Sequence, residues 1–93
     1  MFMIDDDRHA EPQTGEYATR EDALAEIVRR AALGWDEPPN RAPCMSWKKC
    51  GREYQIIEYD DSVLPWRTIS VEPIMEIDAG GIRWLIDRPD KPV

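Results

Sequence analysis

Cys44 and Cys50 are separated by five residues and lie among Arg41, Lys48, Lys49 and Arg52, with Trp47 between them and Trp35 upstream. Cationic neighbours lower a thiol pKa and favour the reactive thiolate. A hairpin-like loop of this length can bring two Cα atoms within the ~4.4–6.8 Å that a disulfide needs. A thiol-based redox protein or small enzyme using Cys44 and Cys50 is therefore one reading. Against it, the spacing is not C-x-x-C and no helix N-terminus is expected beside either thiol. Idle or buried thiols in a reducing compartment account for the same two residues. Free-thiol counts before and after mild oxidation separate these readings, because two free thiols after oxidation leave no redox couple.

The charge around the thiols is the second feature. Residues 41–52 contain no acid and carry +4 in a chain of net charge -7, so the remainder carries -11. Such a patch suits an anionic ligand or an acidic protein partner, with tryptophans as the rigid anchors that dominate interface energetics. The candidate binding residues are Trp35, Arg41, Cys44, Trp47, Lys48, Lys49, Cys50 and Arg52. The plainer account is that Trp35 and Trp47 fold the connection back over the core while the basic residues balance an acidic body. Burial of the tryptophans decides between the two, since exposed ones favour binding.

Other chemistry-bearing types are sparse. The thiol spacing is neither C-x2-C nor C-x4-C and His9 is the one further soft ligand, so no metal ligand set and no cofactor is expected. His9 stands in a polar loop without a Ser, Cys or Asp at a signature spacing, which makes it a poor catalytic base. Asp5 to Asp7, Asp60-Asp61 and Asp87 with Asp90 fall at strand ends and turns, where Asp solvates the backbone. Gly80-Gly81 precedes no helix and reads as a hairpin turn rather than a phosphate cradle. No catalytic residue is assigned.

These residues need a scaffold, and the 93 residues suffice for one compact core. The expected organisation is a single α+β domain over 1–87 with a flexible C-terminal tail at 88–93, where two prolines and no apolar stretch leave nothing to bury. A hydrophobic content of 42% with four Trp argues for folding, although 33% of residues are charged. The negative charge disfavours nucleic acid and anionic membranes. No window approaches the ~20 apolar residues of a membrane span, and the N-terminus has no signal-peptide pattern, so a cytoplasmic location is expected.

The firmest element is an amphipathic helix over about residues 20–33. Thr19 offers a capping hydroxyl with Asp22 three positions on, and Ala23, Leu24, Ile27, Val28, Ala31 and Ala32 form one stripe, leaving Glu26, Arg29 and Arg30 outside. Gly34 is placed to end the helix in the left-handed conformation. Phe2–Asp5 and Glu16–Ala18 are expected to form a hairpin before it. After it, Arg52–Tyr59 carries apolar residues on both faces, the mark of an interior strand. Further on, Ile69, Val71, Met75 and Ile77 alternate with Thr68, Ser70, Glu72 and Glu76, and Pro73 demands an edge or a bulge. A two-residue Ala79-Gly80 turn then sets Ile77 against Ile82, Met75 against Trp84 and Glu76 against Arg83.

The expectation is thus an α+β fold, one amphipathic helix packed on a small, mostly antiparallel sheet in the order β-β-α-β-β-β. The function expected is a non-catalytic protein-interaction or regulatory module presenting the 35–52 loop to another protein or an anionic ligand. The alternatives are the thiol-based enzyme and a self-associating structural protein joined through a free sheet edge, with the chain a monomer or weak dimer.

Overall fold

The structure, a computed structural model, describes residues 1–42 and 51–87. It contains β1 (Phe2–Asp6), β2 (Glu11–Pro12), α1 (Arg20–Ala31), β3 (Arg52–Asp60), β4 (Arg67–Asp78) and β5 (Gly81–Trp84). The strands form one antiparallel sheet in the order β2-β1-β3-β4-β5, with α1 lying across β1 and β3. The α+β class follows, and β3 is interior as its two-sided apolar pattern requires. Cys44, Trp47, Lys48, Lys49, Cys50 and the tail 88–93 lie outside the described residues.

The helix starts where its cap predicts. Thr19 is extended, and its hydroxyl accepts a hydrogen bond from the Asp22 amide at 3.1 Å, while Glu21 and Asp22 in the first turn and Arg29 and Arg30 in the last complement the helix dipole. It stops earlier than expected, at Ala31, with Ala32 still right-handed. Gly34 is not left-handed. Asn40 does the terminal work instead, donating from Nδ2 to the carbonyls of Arg30 at 2.9 Å and Gly34 at 3.1 Å. A buried side chain reaching back from the following loop thus satisfies carbonyls that a glycine cap would have handled.

The second strand is also not the one expected. Glu16–Ala18 contributes an isolated bridge, Tyr17 to Phe2, whereas Glu11–Pro12 pairs with Asp5–Asp6. The cause is a tight turn right after β1. Asp6 Oδ1 accepts from the Arg8 amide at 3.0 Å, and Ala10 adopts φ 50, so the chain reverses within four residues; Pro12 has no amide to give, and the Gln13 amide makes the next bond, to the Ile4 carbonyl at 3.0 Å.

The β4–β5 hairpin pairs as parity demands: Ile77 with Ile82, Met75 with Trp84, Glu76 with Arg83. The β3–β4 ladder corrects the expectation for Ile69 and Val71. Tyr54 pairs with Met75, but the next residue, Gln55, pairs with Pro73, so Ile74 is an extra residue in β4. This bulge beside Pro73 inverts the alternation. Met75 and Ile77 face the helix and are buried, whereas Val71 pairs with Ile57 on the opposite face and Glu72 turns to the helix side. There Glu72 receives two hydrogen bonds from Arg20, at 2.7 and 2.8 Å.

Ile4, Ala23, Ile27, Tyr54, Ile56, Ile74, Met75 and Ile77 form the core. Close backbone approach completes it at Gly51, where a Cβ would overlap the Ile77 carbonyl oxygen.

Candidate functional site

Three of the predicted binding residues are described, and they do not form one surface. Trp35 is half-buried and packs against the core cluster. Arg41 is exposed, its amide donating to the Glu37 carbonyl at 3.0 Å. Arg52 is 6% exposed and turned inward. Its Nε donates to the Pro39 carbonyl at 2.8 Å, Nη2 to the Arg41 carbonyl at 2.9 Å and Nη1 to Asp6 Oδ2 at 3.0 Å, with Glu11 Oε1 at 3.3 Å. Arg52 thus staples the 39–41 backbone to β1. Its fork geometry is spent on two carbonyls and two carboxylates.

Asp6 is the centre of that arrangement and was not singled out from the sequence. It is fully buried, and besides Arg52 it accepts from the amides of Arg8 and Glu53, each at 3.0 Å, with His9 Nδ1 2.6 Å from Oδ2. The i,i+3 relation of Asp6 and His9 was legible, but a run of three aspartates reads as a solvated turn. The ion pair with Arg52, 46 residues away, had no local signal. An Asp–His contact of this kind fixes an imidazole's orientation.

The polar layer continues under the helix end. Tyr54 donates its hydroxyl to Asn40 Oδ1 at 2.9 Å, and burial pushes its pKa above the usual 10.0. The Arg30 guanidinium lies 5.1 Å from the Tyr54 ring centroid, donating to Gln13 Oε1 at 3.0 Å and to Glu26 Oε2 at 2.6 Å. Expected on the outer side of α1, Arg30 is instead buried through this aromatic and ionic contact. Among the described residues, no buried side-chain nitrogen or oxygen lacks a partner. The layer is complete in itself and fastens the 35–42 segment to the sheet.

The opposite face of the sheet differs. Met3, Ile57 and Val71 stand side by side across β1, β3 and β4, pointing away from the helix. Tyr59 and Trp66 extend the row, with ring centroids 5.9 Å apart. Ile69, two residues before Val71, also turns outward, and a second register shift between Glu58 and Tyr59 doubles β4 there, setting Thr68 opposite Tyr59 on the same side. Ile69 is 55% exposed, Val71 51%, and Leu64 in the adjoining turn 88%, with Val63 and Trp66 exposed as well. The β3–β4 end is thus an apolar strip, while Asp5, Glu53, Glu76 and Arg83 keep the rest of that face charged.

Among the described residues no cluster of His, Cys, Asp and Glu could hold a metal ion, and no helix is long and apolar enough to cross a membrane. No protein-family model matches the chain, and no curated protein or solved structure matches it. What the arrangement offers is an exposed apolar strip: large side chains on the β3–β4 hairpin, with strand backbone beside them.

Proposed function

We propose that this protein is a non-catalytic interaction module that docks on another polypeptide chain through the outer apolar strip of the β3–β4 hairpin. The observation that carries this reading is the exposure of Val63, Leu64, Trp66, Ile69 and Val71 on one hairpin, where most of the exposed large apolar side chains of the described residues gather, Ile82 and Leu85 being the others. Contiguous exposed apolar residues rimmed by charge are a feature of protein–protein contact surfaces, and a tryptophan is a favoured anchor within them. The sequence attaches the module reading to the 35–52 loop, of which residues 43–50 lie outside the described residues; Trp35 and Arg52 pack into the fold, and the exposed apolar surface among the described residues is mostly on the hairpin.

Site-specific photocrosslinking tests it. The photoreactive p-benzoylphenylalanine replaces Ile69, Arg41 or Ala25 in separate variants, irradiated in the producing cell. Adducts from position 69, mapped by mass spectrometry to a polypeptide and absent from positions 41 and 25, are the expected result. No adduct at position 69, or equal adducts at all three, would overturn the reading.

A further inference from the structure

Every edge of this sheet has a different exposure to strand addition. β2 is two residues long and ends in Pro12, which has no amide to donate. β5 is four residues long and carries Arg83. The long strand β4 is covered by β5 only over Met75–Asp78, with one further hydrogen bond from the Leu85 amide to the Ile74 carbonyl at 2.8 Å. Among the described residues, no strand pairs with Arg67–Pro73 on the side away from β3. In an antiparallel strand alternate residues aim both amide and carbonyl to one side, so Ile69 and Val71 present both groups along this edge, while Pro73 at its end has a carbonyl but no amide.

We infer that the occupant of this edge is a second copy of the chain, added antiparallel along β4 about a two-fold axis at Ser70. This deepens the proposed function and rests on it. Three observations favour a second copy. First, faces match: residues opposed across an antiparallel pair point to the same side, and a dyad at Ser70 sets Ile69 of each copy against Val71 of the other, both outward. Second, charge allows it. A chain of net charge -7 repels its own copy, but Arg67–Glu72 is neutral, and its two charges are engaged within the subunit, Arg67 with Asp60 at 3.1 Å and Glu72 with Arg20. Third, the apolar strip lies along the same edge, so pairing of the strands brings the Ile69 and Val71 side chains of the two copies together into one continuous outer face. The closed two-fold contact uses one surface patch twice, which is the simplest symmetric assembly.

Sedimentation equilibrium of the full chain from micromolar to millimolar concentration tests the inference. A monomer–dimer equilibrium is expected, weakened at least tenfold by Val71→Lys or Ile69→Lys, each of which sets cations against an apolar residue on both sides of the dyad. Thermal unfolding of each variant at low concentration checks that the monomer stays folded. In a background with Cys44→Ala and Cys50→Ala, Ser70→Cys should form an intermolecular disulfide on mild oxidation, because directly opposed residues in a strand pair stand ~4.5–5.5 Å apart. A chain that remains monomeric to millimolar concentration, or a dimer indifferent to both lysine variants, would overturn it. If the chain is monomeric while position 69 still crosslinks another polypeptide, the second copy is wrong and the docking surface stands; if position 69 crosslinks nothing, both fail.

Discussion

The two faces of the sheet carry the same kinds of side chain and treat them in opposite ways. On the helix side Ile4, Ile56, Met75 and Ile77 are buried, and even the charged residues Asp6, Arg30 and Arg52 are enclosed with none of their buried polar atoms left unpartnered. On the outer side Ile69 and Val71 stand half in solvent next to Trp66. Hydropathy does not distinguish these sets; the extra residue Ile74 in β4 does. By inverting parity at Ile74 the strand sends the apolar side chains of its C-terminal half into the core and those of its N-terminal half outward, so one continuous strand is buried at one end and exposed at the other.

The contrast breaks most sharply at the buried ion pair. Asp6→Ala leaves the enclosed Arg52 guanidinium with only the solvent-exposed Glu11 carboxylate beside it and frees two amides, so a loss of about 3 kcal/mol is expected in chemical denaturation. A loss below about 1 kcal/mol would show that the polar layer is not needed to hold 39–41 in place. The outer face has no residue whose removal should approach this.

Paired apolar truncations come next. Ile27→Ala, at a site with no solvent exposure, should cost about 2–5 kcal/mol, since transfer and cavity terms add. Val71→Ala, at half exposure, should cost under about 1 kcal/mol in the monomer and act on association instead. Equal destabilisation by the two would mean that the outer strip is part of the core rather than a surface.

Tyr54→Phe sharpens the helix-side picture at smaller scale. The ring and its packing remain, while Asn40 Oδ1 loses a donor in a buried position, which costs about 1–2 kcal/mol. Alkaline unfolding provides a second reading of the same group. Its folded pKa is raised by burial, so its contribution is complete below 10.0 and is lost as pH rises through the folded value. The phenylalanine variant should lack that alkaline limb.

How much of this was legible follows from how local each signal is. The Thr19 cap, the dipole-matched charges and the Ala79-Gly80 hairpin depend on neighbours within a few residues, and their expected contacts are present. Pro73 announces a bulge, but alternation alone carries no sign of the parity change the bulge brings, so Ile69, Val71 and Glu72 lie on the faces opposite to those expected. Gly34 looked like the helix terminator because glycine is the local solution, whereas Asn40 solves the same problem from a distance. Of the eight candidate binding residues, the thiols, Trp47 and the two lysines lie outside the described residues. Among those described, Arg52 was readable as a charge but not as a buried staple, since its partner comes from the first strand of the fold.

The smallest expected effect joins the two faces at their boundary. Glu72 reaches the helix side only because the bulge turned it there, and its bidentate contact with Arg20 on α1 is about two-fifths exposed on the carboxylate side. The hydrogen bonds from Arg20 hold its carboxyl below the ordinary 4.5. A lowered carboxylate contributes fully above the unfolded pKa and loses that contribution as pH falls through the folded value, so the pair should fade below 4.5 and not in the neutral range. Solvent screening limits its worth to under about 1 kcal/mol. Glu72→Gln should therefore lower stability slightly at neutral pH and leave it unchanged in acid, the two denaturation curves converging as pH drops. Had Glu72 faced outward with Val71, as unbroken alternation demands, Arg20 could not reach it and the curves would coincide at every pH, so this modest titration tests whether the parity inversion at Ile74 exists in solution.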